Sequence, residues 1–255
     1  MNHRLRILAG GAVKSLVLEA GVQLELQDGT GLQARFGAVG AMRDLLLGGE
    51  PCDVIIVSRS LIDGLAMIPD PVYPVINRAS ITDIGLVSTG IAVGQASAGV
   101  EALALPESLP PEWERAMTAS DLKRLMLEAS AIFIPDSVRS TAGAHVMGVL
   151  QQLGIADELA GSLREFPHGA AAMQALAAFD SAKAIGCTQK TEILMTPGLR
   201  YLYDLPEPFG LQTLYTGAIT SQTQNAELAA SLLDWMASDA NAFKRQEFGF
   251  QKLNR

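Results

Sequence analysis

The sequence predicts an α/β fold laid down twice along the chain, and three observations carry that prediction. Short apolar runs alternate with segments of helical spacing up to about residue 60, and again from residue 120 onward. A proline- and glycine-rich stretch, 69–113, separates the two sets. Four times a strand-like run ends in small residues just before a helix begins: "AGGAVK" (9–14), "FGAVGAM" (36–42), "PDSVRSTAG" (135–143) and "FPHGAAAM" (166–173).

"LRILAG" (5–10) is an apolar run ended by Gly-Gly and reads as the first strand. In "VKSLVLEAGVQLEL", Leu16, Val17, Ala20 and Leu24 fall on one helical face. "DGTG" (28–31) signals a turn, and "LQARFGA" half-alternates as a strand does. "AMRDLLLGG" is a short helix closed by Gly48 and Gly49. "CDVIIVS" (52–58) is too continuously β-branched for a half-exposed strand and reads as a central parallel one. Three strands with intervening helices predict a βαβαβ start on a parallel sheet.

Between "PDPVYP" and "LPESLPPEW", the stretch "IGLVSTGIAVGQAS" is a glycine-interrupted strand; the shift in composition marks a crossing between domains or an edge excursion. A second α/β set follows. "SDLKRLMLEA" (120–129) is a capped helix, "AIFIP" (131–135) a buried strand, and "STAGAHVMGVLQQLG" (140–154) a helix closed by Gly154. "GAAAMQALAAF" (169–179) is a helix and "AKAIGCTQ" (182–189) a strand. After "DLPEPFG", "LQTLYTGAITS" is a strand, and "NAELAASLLDWMAS" and "NAFKRQEFGF" are amphipathic terminal helices.

Composition narrows the function. With 255 residues, 49% hydrophobic and 18% charged, the chain can bury a substantial core. A net charge of −8 without a lysine-arginine cluster argues against a nucleic-acid partner. An anionic small molecule stays open, because a few cationic groups and amides set the potential of a single cleft. Cys52 and Cys187 form no CxxC and read as small buried hydrophobes, not as a disulfide or zinc site. No apolar run approaches the ~20 residues that span a bilayer, so no membrane insertion is expected. "MNHRLRILAGG" has too short an apolar stretch for a signal peptide. As it stands the chain reads as cytoplasmic, or as periplasmic where a leader has been removed. No cofactor is called for.

The four junctions suit an anion. Small residues such as Gly11 and Ala171 let a ligand approach the backbone, and helix N-termini present N–H groups and a favourable dipole. In open α/β sheets ligands lie outside the carboxyl ends of the strands, where such junctions gather. Lys14, Arg59, Arg139, His168 and Lys190, with Ser140 and Thr141, lie near them. Arg59 has a second reading, a pair with Asp63 four residues on. Arg139 is a ligand arginine or a solvated loop charge, Lys14 and Lys190 are ligand or surface lysines, and His168 points to the ligand or caps a helix. His145, on the helix after Ala142, reads as packed or exposed.

The order "ILAGGAVKSLV…ARFGAVGAMRDLLLGGEPCDVIIVS" resembles the periplasmic molybdate-binding proteins, within the type II solute-binding proteins. "PDSVRSTAGAHVMGVLQQLGIADEL" and the terminal "FKRQEFGF" are similar to that family's second-lobe and closing segments. The resemblance implies a two-lobed, periplasmic-binding-protein-like fold, with mixed sheets flanked by helices and a ligand cleft between the lobes. Lobe I takes 1–88 and 207–255, lobe II takes 89–206, and the crossings fall near 70–113 and 205–210. An ABC permease is the implied partner of an exported chain. Asp53 matches a recurring acidic position and is given a structural role. Trp113, Tyr201 and Tyr203 lie outside the matched motifs and read as packing or surface residues.

The resemblance also places ligand contacts. Ala12 and Ala38–Val39 stand where molybdate binders supply serine hydroxyls, and Gln189 stands in place of a tyrosine. Ala142 keeps the family's kind of residue. Losing those donors, at about 1 kcal/mol or more apiece, points away from molybdate. A carboxylate prefers a guanidinium fork or an ammonium, so the cations suggest an organic acid. The function expected is therefore a binding protein for a small anion, carboxylate or oxyanion. The alternative is a cofactor-free isomerase like the aconitate isomerases, which resemble this family in fold. There His168 and Lys190 would move the proton while Arg139 and Lys14 held carboxylates.

Overall fold

Leu5, Ile7, Leu8 and Ala9 are at most 2% exposed, so the first apolar run is a strand sealed in the interior. The computed structural model describes residues 4–28, 31–68, 76–94, 117–181 and 183–253. The chain divides into two compact units, 1–87 with 213–255, and 88–212. Its crossings fall at 87–88, inside a strand, and at 212–213, at the start of another. Most of 69–113, including Trp113, lies outside the described residues.

Unit 1 contains β1 (Arg4–Gly10), a 3-10 turn (Gly11–Val13), α1 (Lys14–Asp28), β2 (Gly31–Gly37) and α2 (Val39–Leu47). Then come β3 (Val54–Ser58), α3 (Arg59–Ala66) and the first part of β4 (Thr82–Gly94). After unit 2 the chain returns with β9 (Gln212–Ile219), α9 (Ala226–Ala237) and α10 (Ala242–Glu247). β1 runs parallel to both β2 and β3. β9 runs antiparallel to β3, so the sheet, of order β2-β1-β3-β9-β4, is mixed. A strand buried on both faces, as β3 is, carries no mark of its neighbours' directions.

The helical face read in α1 is the buried one: Leu16, Val17 and Ala20 are fully covered, whereas Leu18 and Val22 face solvent. Gly49 follows α2 at φ +86, the left-handed conformation that ends helices.

Unit 2 contains the rest of β4, α4 (Ala119–Glu128), β5 (Ala131–Pro135), α5 (Thr141–Gln152), α6 (Ala156–Leu159) and β6 (Leu163–Phe166). It closes with α7 (Gly169–Ala177), β7 (Ala184–Gln189), α8 (Lys190–Leu194) and β8 (Leu199–Asp204). β5 runs parallel to β6 and β7, while β4 pairs antiparallel with β7 and β8. Thr118 and Asp121 form a reciprocal capping box on α4. Gly154, φ +68, ends α5.

Both cysteines are buried free thiols. Burial pushes Cys52 and Cys187 up to about 12 each, so neither presents a thiolate. Ellman's reagent at about pH 8 should therefore label neither in the native protein and both after denaturation. Rapid labelling of the native protein would contradict this burial.

Candidate functional site

In unit 1 the parallel register sets Gly10 beside Gly37 and Ala9 beside Ile56, so β1, β2 and β3 end at one sheet edge. Three helical segments start there. Gly10, Ala38 and Ser58 occupy their N-cap positions in extended conformation, and none makes a side-chain cap hydrogen bond. Gly11, Ala12, Ala38, Val39 and Gly40 are nevertheless buried. Helix starts that are covered but uncapped need another source of hydrogen-bond acceptors. Gly10 explains how closely these starts sit: a Cβ there would stand 2.8 Å from Val39 Cγ1 and 3.1 Å from the Tyr215 ring.

Lys14, the first residue of α1, holds its ammonium 5.8 Å from the centre of the Phe36 ring. Arg59 donates through Nε to Asp63 at 2.8 Å and through Nη1 to Asp83 at 3.1 Å. These bonds raise its pKa and make it a structural cation. The serines on either side of it were not singled out in the sequence. Ser58 is buried, and its hydroxyl lies 3.3 Å from that of Ser60. Tyr215, opposite Ser58 in the register, lies at the same edge. "VIIVSRS" is a fifth strand-to-helix junction, and its form could have revealed both hydroxyls.

In unit 2, Pro135 pairs with Phe166 and Phe133 with Gly186, so β5, β6 and β7 also end together. Asp136 closes the loop after β5 by accepting the backbone N–H groups of Val138 and Arg139, each at 2.8 Å. Those two bonds, Arg139's first, hold its carboxyl below the usual range against slight desolvation. Arg139 is exposed. Ser140 caps α5 by accepting from the Gly143 N–H at 3.4 Å, followed by Thr141 and the buried Ala142. His168 caps α7: its Nδ1 accepts from the Ala171 N–H at 3.1 Å. That bond fixes Nδ1 as the unprotonated ring nitrogen.

Gln189 is buried at the end of β7, and the Lys190 ammonium sits 4.5 Å over the Tyr201 ring. The structure thus brings Arg139–Ala142, His168–Ala171 and Gln189–Lys190 to one edge of unit 2. His145 turns elsewhere and donates from Nε2 to the Phe209 carbonyl at 2.8 Å. Two threonines join the edge without having been foreseen. Thr89 stands opposite Gln189 in the β4–β7 register, and Thr191 lies in the first turn of α8. Both hydroxyls are buried and find no hydrogen-bond partner among the described residues. A buried orphan hydroxyl loses about 1–3 kcal/mol until something binds it.

The family model described as bacterial extracellular solute-binding protein matches residues 5–251. No curated protein sequence matches the chain significantly. The fold is similar to that of the periplasmic molybdate-binding protein of Azotobacter vinelandii, at TM-score 0.73 and 14% identity, over 98% of this chain and 100% of that one. The sulfate-binding protein SubI of Mycobacterium tuberculosis is similar at TM-score 0.68 and 13% identity, over 98% of this chain and 87% of that one. The L-phospholactate complex of PEB3, a Campylobacter jejuni protein, is similar at TM-score 0.65 and 10% identity, over 98% and 100% of the two chains. At such identities the likeness speaks for the fold. No helix among the described residues is long and apolar enough to cross a membrane.

Proposed function

The chain belongs to the bacterial extracellular solute-binding protein family, and from that premise we propose that it binds a small organic carboxylate and works with an ABC permease. One observation carries the reading: Gly10, Ala38 and Ser58 leave three helical starts of unit 1 uncapped at one sheet edge, and the first two of those starts are buried. Such starts are made whole by an anion, which takes up their N–H groups and meets the positive end of each dipole. The similar molybdate-binding protein, the sulfate-binding protein SubI and L-phospholactate-bound PEB3 are each named for an anion they hold. Unit 2 by itself offers Arg139, Lys190 and the orphan hydroxyls of Thr89 and Thr191 at its own sheet edge. A fork-shaped guanidinium suits a carboxylate better than a tetrahedral cage of serines does.

The isomerase alternative gains no support from this geometry. His168 spends Nδ1 on capping α7, and the Lys190 ammonium is engaged with the Tyr201 ring.

A thermal-shift panel of molybdate, sulfate, succinate, citrate and the aconitates tests the proposal. A ligand at 100 times its Kd should stabilise the protein by about 2.7 kcal/mol, a rise of several degrees in Tm. Carboxylates are expected to give that rise, and Arg139→Ala to reduce the affinity roughly tenfold or more, as losing a charged hydrogen bond does. A shift with molybdate alone would overturn the carboxylate assignment, and an unchanged Arg139→Ala response would remove that residue from the site.

A further inference from the structure

Glu192 lies in α8 with only 5% of its surface exposed, directly against the first residue of α7. The Thr188 hydroxyl donates to its Oε2 at 2.6 Å, and the backbone N–H groups of Ala170 and Gln189 also donate to its carboxyl. A Cβ on Gly169 would stand 1.9 Å from Oε2 and 2.1 Å from the Thr188 hydroxyl oxygen, so only glycine admits the carboxyl here. An acid group of the protein therefore already occupies this helix terminus, next along the chain to Thr191, whose buried hydroxyl the anion-binding reading offers to a ligand.

Among the described residues Glu192 takes part in no ion pair. Among the described residues, the elements packed most closely against α8 are α7, β7 and β8. α7 brings the capping His168, and β7 brings Cys187, whose buried thiol stays protonated. β8 brings Arg200, Tyr203 and the Tyr201–Asp204 hydrogen-bonded pair. Lys190, on α8 itself, is held over the Tyr201 ring.

We propose that Glu192 makes anion binding at the α7 end of unit 2 proton-linked: its neutral acid form admits the anion and its carboxylate form repels it. The proposal rests on the anion-binding reading above. Burial drives the Glu192 carboxyl up to about 7, although the bonds from Thr188, Ala170 and Gln189 pull it down. Both forms are accordingly populated near neutrality. A binding-competent form that titrates there falls about tenfold in population between pH 6 and pH 8. By linkage, anion binding at the upper pH takes up close to one proton.

Two measurements test this. In the ligand-free protein, the carbon-13 resonance of the Glu192 side-chain carboxyl, assigned by its loss in Glu192→Gln, should titrate near 7; a midpoint below about 5 overturns the proposal alone. Calorimetry with sulfate, whose charge is constant from about pH 6 to pH 8, should give a Kd about tenfold weaker at the higher pH. Heats in buffers of different ionisation enthalpy should show the proton uptake. Glu192→Gln, isosteric and always neutral, should keep the tight Kd at both values and take up no proton. A wild-type Kd flat in pH, or a pH dependence that survives in Glu192→Gln and vanishes in His168→Asn, overturns the assignment to Glu192. Absence of sulfate binding at either pH counts against the anion-binding reading itself, and this proposal falls with it.

Discussion

Asp53→Ala should lower the unfolding free energy by about 3 kcal/mol at neutral pH, because it strips a fully buried carboxylate acceptor from the donors that converge on it. Asp53 is 0% exposed. Its Oδ2 accepts the Arg6 backbone N–H at 2.8 Å and Arg6 Nε at 3.0 Å; its Oδ1 accepts Arg6 Nη2 at 2.9 Å and the Thr223 hydroxyl at 2.7 Å. Its own backbone donates to the Arg6 carbonyl and accepts from the Thr220 N–H. One side chain therefore fastens β1 to β3 and to the segment after β9, and an alanine would take the shared acceptor from all of these donors at once.

The pH dependence gives the prediction its sharper form. Burial pushes the Asp53 carboxyl up, but the bonds from the Arg6 side chain, the Arg6 N–H and Thr223, with the Arg6 charge, outweigh it and leave it low. A carboxyl depressed in the native state stabilises fully above its unfolded pKa of about 4, and that contribution disappears as pH falls through the native value. Urea unfolding should therefore show the wild-type protein and Asp53→Ala far apart at neutral pH and converging toward about pH 2. A gap under about 1 kcal/mol at neutrality, or one unchanged by acid, would show that the hub is not what holds these strands.

Local signals carried most of the fold in the sequence. The spacing of Leu16, Val17, Ala20 and Leu24 marks the covered face of α1 because helical periodicity and burial are the same fact there. Gly49 and Gly154 mark helix ends because each adopts positive φ. β6 and β8 escaped because their burial follows neither alternation nor a continuous apolar run. The candidate site was half visible for a related reason. Junctions with small residues can be read along the chain, and Ser58 and Ser60 could have been added to them. Thr89 and Glu192 could not. Thr89 is remarkable neither in type nor in context until strand pairing sets it opposite Gln189. Glu192, in "QKTEIL", looks like any acid in the first turn of a surface helix, and only tertiary packing shows it to be buried beneath α7.

Gly143→Ala should destabilise unit 2 by about 3 kcal/mol, even though alanine is the better helix former by about 1 kcal/mol. A Cβ at this position would lie 2.3 Å from the carbonyl oxygens of both Asp136 and Pro135 and 2.8 Å from the Asp136 carbonyl carbon. These are backbone atoms at the end of β5, and the loop they begin is pinned by the Asp136 carboxyl and by the Ser140 N–H bonded to the Asp136 carbonyl at 3.1 Å. No side chain can swing aside, so the first turn of α5 must lift off the strand and carry Ser140, Thr141 and Ala142 with it. Gly148, one turn further along the same helix, is the control: a Cβ there meets nothing within 4 Å, so Gly148→Ala should gain up to about 1 kcal/mol. The two substitutions are chemically identical and share a helix, so propensity cancels between them. What remains in urea unfolding is the clash alone. Anion affinity should fall in Gly143→Ala and hold in Gly148→Ala, since only the former moves the α5 terminus; equal stability and equal affinity in the pair would mean that α5 does not rest on β5 as tightly as its glycine implies.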